Sequence, residues 1–183
     1  MNLTKTKLRG RIKRVFELYP KETLNVCGDI IQNKILEIIR PYKVIMSYVS
    51  TPREVTTFKI LEKVLEEDKV LVVPKVVQDN IIAVRIKNLE ELSLGAFNVL
   101  EPKSSSPFDI SELEVIIVPG IAFNTNLHRI GHGGGHFDKL LKFLPPYILK
   151  IGLAYDFQVV EEEFEDQWDK KMNIIITEKR RIE

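Results

Sequence analysis

The stretch VPGIAFNTNLHRIGHGGGHFD, Val118 to Asp138, holds five of the chain's nine glycines and all three of its histidines. An apolar run, Val115 to Val118, leads into it. A helical pattern leaves it through Asp138, Leu140, Leu141, Phe143 and Leu144. Strand, glycine loop and helix start, in that order, present backbone N–H groups and a helix N-terminus to an anion. Arg129 adds a fixed charge suited to phosphate. Asp138 adds a hard oxygen suited to Mg²⁺. The stretch reads as a nucleotide-phosphate site on an α/β scaffold. It is not a P-loop, because no Gly-Lys-Ser or Gly-Lys-Thr occurs in the chain. Gly131 to Gly135 also lacks the final glycine of G-x-G-x-x-G. The other reading of these residues is a glycine turn with no ligand.

Outward from this loop, helical and extended patterns alternate. Leu8, Ile12, Val15 and Phe16 fall at helical spacing after Thr4, a candidate cap. Cys27, Ile30, Ile31, Ile35 and Ile38 form a second helical stripe that ends before Pro41. Val55, Phe58, Leu61 and Leu65 form a third, which Glu54 is expected to begin. Strands are expected at 44–49, 70–73, 81–86, 114–118, 148–154 and 173–177. Strands interleaved with helices argue for an α/β fold with a largely parallel sheet flanked by helices. Ligands sit outside the carboxyl ends of such strands. Tyr48-Val49-Ser50, Pro74-Lys75, Pro119-Gly120 and Tyr155-Asp156 are therefore candidates to line one cleft. The segment Lys103 to Asp109 is expected to be a solvated loop.

Composition narrows the function classes. A chain of 183 residues suits one domain, 1–183, with a sizeable core. A net charge of +1 supplies no bulk field for nucleic acid or an anionic membrane. One cysteine, Cys27, rules out an internal disulfide and a cysteine-based zinc site. The first residues lack the apolar core of a signal peptide, and no apolar run approaches a membrane span. A cytoplasmic monomer acting on small molecules is the expectation.

The glycine stretch resembles the 5-formyltetrahydrofolate cyclo-ligase family, whose signature reads P-G-[LIV]-[AG]-F-D-x-x-G-x-R-[LI]-G-x-G-x-G-Y-[YF]-D. Shorter matches run along the chain in order: Lys5-Thr-Lys-Leu-Arg9, Tyr48-Val-Ser50, Glu54-Val-Thr-Thr57, Lys69 to Pro74, Val84-Arg-Ile86, Phe97 to Pro102, Gln158, Asp169 and Ile176-Thr-Glu178. The resemblance implies a Rossmann-like layout related to the NagB and CoA-transferase folds. It implies ATP- and Mg²⁺-dependent conversion of 5-formyltetrahydrofolate to 5,10-methenyltetrahydrofolate. Lys5, Arg9, Arg129, Gly131, Gly133, Gly134, Gly135, His136 and Phe137 are then expected on the nucleotide. Val49, Glu54, His132 and His136 are expected on the folate, with Arg129 and His132 nearest the chemistry. Asp138 and Asp169 are the expected Mg²⁺ ligands. A non-catalytic nucleotide or sugar-phosphate binding module on the same fold is the alternative.

Several of these residues also have plainer readings. Lys5 and Arg9 share one helical face and suit a solvated basic turn. Glu54 suits a helix N-terminus without any ligand. Asp169 closes an acidic run that begins at Glu161. His128, His132 and His136, at i, i+4 and i+8, would suggest zinc on a helix, but the glycines between them disfavour one. The chain also departs from the family pattern. Asn124 stands for Asp, Leu127 for Gly, His132 for Tyr or Arg, His136 for Tyr, and Trp168 for His. Asn124 keeps hydrogen bonding and loses charge. Leu127 has no cheap access to positive φ if the position demands it.

Overall fold

The computed structural model of the protein describes residues 5–95, 99–164 and 169–183. Thr4, Phe97, Asn98 and Trp168 lie outside these, so the expected cap and those motif positions are not described. Two helices come first, α1 (Lys5–Leu18) and α2 (Lys21–Ile39). Strand β1 (Val44–Ser47), helix α3 (Phe58–Glu66), strand β2 (Val70–Val77) and strand β3 (Asn80–Ile86) follow. A small hairpin pairs β4 (Leu92–Leu94) with β5 (Leu100–Pro102). Then come β6 (Val115–Val118), β7 (Ala122–Asn124), β8 (Arg129–Ile130), α4 (His136–Phe143), β9 (Leu149–Leu153), β10 (Val159–Val160), β11 (Ile174–Ile176) and β12 (Arg181–Ile182).

The main sheet has seven strands in the order β12-β11-β9-β6-β1-β2-β3. The five inner strands run parallel, and β12 and β3 are antiparallel edges. Period-2 alternation divides the side chains between two faces. Ile45, Val115, Ile117, Ile151, Ile174 and Ile176 pack with Ile31, Ile35 and Ile39 of α2 and Ile60, Leu61 and Val64 of α3. Met46, Ile116, Val118 and Ile175 pack on the other face with Leu140 and Leu141 of α4. All four residues of β6 are buried, as expected for a central parallel strand covered on both sides. Leu8 and Ile12 of α1, one turn apart, cover a second sheet of order β10-β7-β8 through Ala122, Ile130 and Val160.

Strand order places the ligand crevice. The chain goes from β1 through α3 to β2 on one side, then returns to β6 on the other side of β1. Strand order reverses there, so the loops after β1 and after β6 diverge and leave a gap at the carboxyl ends.

Three expectations need correction. Glu54 does not begin α3: the helix starts at Phe58, with Thr57 before it. Glu54 instead closes a turn, its Oε2 accepting from Thr51 N at 2.8 Å and Thr51 Oγ1 at 2.9 Å. Thr57 is then held by Tyr48 O and Ser50, which delays the first helical residue. The buried stripe of α2 is Leu24, Gly28, Ile31, Ile35 and Ile39, with Ile30 exposed. A long apolar helix admits more than one stripe, and packing selects among them. Strands β4, β5, β7, β8, β10 and β12 were not expected, because two or three residues carry no alternation signal.

Candidate active site

The loop after β1 and the loop after β8 face each other across a cavity of about 670 Å³. From the first loop come Tyr48, Val49, Thr51, Pro52, Arg53 and Glu54. Pro74, Val76 and Ile81 form the wall on β2 and β3, and Val99, Leu100 and Glu101 that on β5 and the residue before it. The far wall is Pro119, Arg129, Gly131, His132, Gly134, Gly135, His136, Phe137 and Asp138. Expected site residues Val49, Glu54, Arg129, Gly131, His132, Gly134, Gly135, His136, Phe137 and Asp138 thus share one cavity. Of the strand-end candidates, Tyr48, Val49, Pro74 and Pro119 line it. Tyr155 and Asp156 do not: Tyr155 stacks on Phe157, and Asp156 bonds Thr177 and Arg180.

The first loop is shaped by its own side chains. The Tyr48 hydroxyl donates to Val55 O at 2.8 Å, and Thr57 Oγ1 donates to Tyr48 O at 2.8 Å. Burial, with Glu54 nearby, pushes the Tyr48 hydroxyl well above its ordinary pKa, so it stays a neutral donor. Glu54 spends Oε2 on Thr51 and turns Oε1 toward His132 Nε2, 3.9 Å away. The Glu54 side chain is 10% exposed and that of His132 58%.

The opposite wall centres on Arg129. Its side chain is 3% exposed, and its Nη2 donates to Asp138 Oδ1 at 2.7 Å. Its Nη1 donates to Pro119 O at 3.3 Å, and the guanidinium lies 5.8 Å from the Phe137 ring centre. The Nε–H is buried and has no acceptor among the described residues. Burial pushes the Arg129 pKa down, and Asp138 and Asp169 oppose that shift. Gly133 and Gly135 take φ of +110° and +68°, so side chains at either would be strained. Gly135 caps α4, whose first-turn amides have no acceptor within the helix. Leu127 also has positive φ, 69°. The turn therefore demands the left-handed conformation, and leucine adopts it. Asn124 supports that turn, accepting from His128 N through Oδ1 at 3.0 Å and from Leu127 N through its carbonyl at 3.0 Å.

Lys5, Arg9, Gly133 and Asp169 stand outside the cavity lining. Arg9 Nε donates to Gly131 O at 2.8 Å, and Lys5 Nζ bonds Asp169 Oδ2 at 2.7 Å. Helix α1 is thereby fastened to the glycine loop and to the segment that also acts electrostatically on Arg129. The three histidines do not gather. No group of three or more His, Cys, Asp or Glu side chains among the described residues is placed to hold a metal. A pair of carboxylates is enough for Mg²⁺, which takes one or two carboxylates and fills the rest with phosphate and water. Asp138, 45% exposed, is bonded to Arg129 at the cavity wall, and Asp169, 19% exposed, is bonded to Lys5 outside it.

Glu101 was not singled out from the sequence. It is buried at the cavity wall, with Oε1 accepting from Val76 N at 3.1 Å. Glu101 falls within the Phe97 to Pro102 match, which gives it no role by itself.

Comparison with known proteins gives the same direction. The pattern of the 5-formyltetrahydrofolate cyclo-ligase family matches residues 2–178. A Schizosaccharomyces pombe protein described as a "probable 5-formyltetrahydrofolate cyclo-ligase" is 24% identical over 204 residues, covering 100% of this chain and 98% of that one. The 5-formyltetrahydrofolate cyclo-ligase of Mycoplasma pneumoniae is 26% identical over 152 residues, covering 81% and 82%. The solved 5,10-methenyltetrahydrofolate synthetase of Aquifex aeolicus superposes with a TM-score of 0.87 at 28% identity, covering 98% of this chain and 92% of that one. The match spans both cavity walls and the strand order between them, and on that ground the chain belongs to the 5-formyltetrahydrofolate cyclo-ligase family.

Proposed function

We propose that this cavity converts 5-formyltetrahydrofolate to 5,10-methenyltetrahydrofolate with ATP and Mg²⁺, the folate pterin against Glu54 and the phosphates against the glycine loop. The observation that supports this most is the meeting in one cavity of an acid-bearing wall and a buried-arginine, helix-terminus wall. Oε1 of Glu54, the oxygen that Thr51 does not use, is the acceptor for an N–H of the guanidine-like edge of a pterin. The N–H donors of Arg129 and of the first turn of α4 suit phosphate oxygens.

The formyl oxygen is a poor leaving group. Transfer of the γ-phosphoryl of ATP to it gives an imidate phosphate and ADP. N10 then attacks the activated carbon, and phosphate departs with the former formyl oxygen. Such transfer needs positioning and charge neutralisation more than a strong base. Arg129 supplies fixed positive charge, and Phe137 and His136 close the cavity beside it. Asp138 and Asp169 would hold Mg²⁺, which when bound neutralises phosphate charge. Lys5 and Arg9 act from outside the cavity, setting the glycine loop and meeting the distal phosphates. The protein works as a monomer on small molecules, in the cytoplasm, without nucleic acid or membrane. No described helix is long and apolar enough to cross a membrane.

The test is the appearance of methenyl-folate absorbance from 5-formyltetrahydrofolate with ATP. Signal with ATP and Mg²⁺, and none without ATP, is expected. Full turnover in excess chelator would remove Mg²⁺ from the scheme, and no ATP-dependent signal would remove the reaction.

A further inference from the structure

Gln158 is 2% exposed and is not itself among the residues that line the cavity. A buried amide needs partners for two donors and an acceptor. Gln158 finds them in three backbone groups. Its Nε2 donates to Gly120 O at 3.1 Å and to Ile121 O at 3.0 Å, and its Oε1 accepts from Tyr155 N at 2.8 Å. These partners also settle which end of the amide is nitrogen, since two carbonyls need a donor and one N–H needs an acceptor.

The two carbonyls follow Pro119, where the chain leaves β6 for the glycine stretch. Pro119 O is itself an acceptor for Arg129 Nη1. Ile121 N donates to Ile130 O at 2.7 Å, and Phe123 faces Arg129 in the β7–β8 pairing. Val159, next to Gln158, pairs with Phe123 from the other side. The route from Gln158 to the guanidinium is therefore short. The amide holds Gly120 and Ile121, the turn holds Pro119 and β7, and these hold Arg129.

We infer that Gln158 is a positioning residue for phosphoryl transfer, acting on Arg129 through the Pro119–Ile121 turn. This rests on the proposed phosphate role of Arg129. The alternative is a bond set that serves stability alone. The two differ in where a loss appears. A positioning role lowers kcat and depends on Arg129 being present. A purely structural role lowers thermal stability and leaves the folded fraction fully active.

The test is a double-mutant cycle of Gln158→Met and Arg129→Ala in the full chain, with kcat measured on protein shown folded by its melting transition. Met keeps length and volume and removes both donors. Gln158→Met is expected to lower kcat about ten- to a hundredfold, because small misplacements of a catalytic group cost that much. In the double variant it should add almost nothing to the loss from Arg129→Ala. Fold-losses that multiply in the double variant, or parental kcat in Gln158→Met, overturn the inference. Gln158→Glu keeps the test open if Met prevents folding. Its ionised carboxylate lacks both donors, and its protonated form regains one. Its activity relative to the parent should therefore rise as pH falls, and a ratio flat with pH also overturns the inference. If Arg129→Ala alone leaves kcat intact, the phosphate reading of Arg129 fails instead, whatever Gln158 does.

Discussion

The two cavity walls are built in opposite ways. The loop after β1 is shaped by bonds between residues at most nine positions apart, among Tyr48, Ser50, Thr51, Glu54, Val55 and Thr57. The glycine loop is held from afar. Arg9 reaches Gly131 across 122 positions, and Gln158 reaches Gly120 across 38. Glycines remove side chains that would otherwise stabilise the loop locally, so rigidity must come from elsewhere in the fold. One wall is tied by its own residues alone, and the other adds distant fasteners to the Arg129 bonds to Asp138 and Pro119 within it.

The largest expected effect tests the remote wall at its centre. Arg129→Ala should lower kcat by about a hundredfold or more, the usual consequence of losing a transition-state phosphate contact. Near-parental kcat and KM for ATP would mean that the buried guanidinium only supports the fold.

Next comes the self-contained wall. Glu54→Gln keeps shape and loses charge, and should weaken 5-formyltetrahydrofolate by about 1.5–3 kcal/mol, or ten- to a hundredfold in Kd. ATP binding should barely change. Calorimetric titration of each ligand decides it, and an equal loss for both would mean that the walls do not divide the substrates.

A smaller effect is expected at the fastener. Arg9→Ala should weaken ATP by about 1 kcal/mol, the net worth of one such hydrogen bond, and leave folate binding intact. Titration with ATP alone would show it. A loss confined to the folate would reverse the comparison.

The smallest is a pH effect on the α1 side. The Arg11 hydrogen bonds hold the Glu162 carboxylate below its usual pKa. A depressed carboxylate stabilises the fold above its unfolded pKa and loses that contribution as pH falls through the folded value. The pair is about one-third exposed, so solvent screening leaves a few tenths of a kcal/mol. Glu162→Gln should lower the urea midpoint slightly at neutral pH and match the parent in strong acid. A difference that persists in acid would point to packing instead of charge.

The sequence by itself determined the α/β class, six of the seven main-sheet strands and the glycine loop between strand and helix. Those rest on signals that local residues carry: alternation, helical spacing and a glycine cluster between them. It also placed Tyr48 and Pro119 at strand ends, whereas β2 runs on past Pro74 to Val77. Only the tertiary structure decided the rest. Glu54 left the helix because Thr51 offered its carboxylate two donors, a choice invisible in spacing. Leu127 took positive φ because the turn around Asn124 and the packing behind it outweigh a local cost of about 1–2 kcal/mol. Lys5 and Arg9 reach Asp169 and Gly131 O, and Glu101 and Gln158 gained roles, because each depends on a partner from another part of the chain. Pairings of that kind follow from strand order and loop packing, which no local stretch of residues encodes.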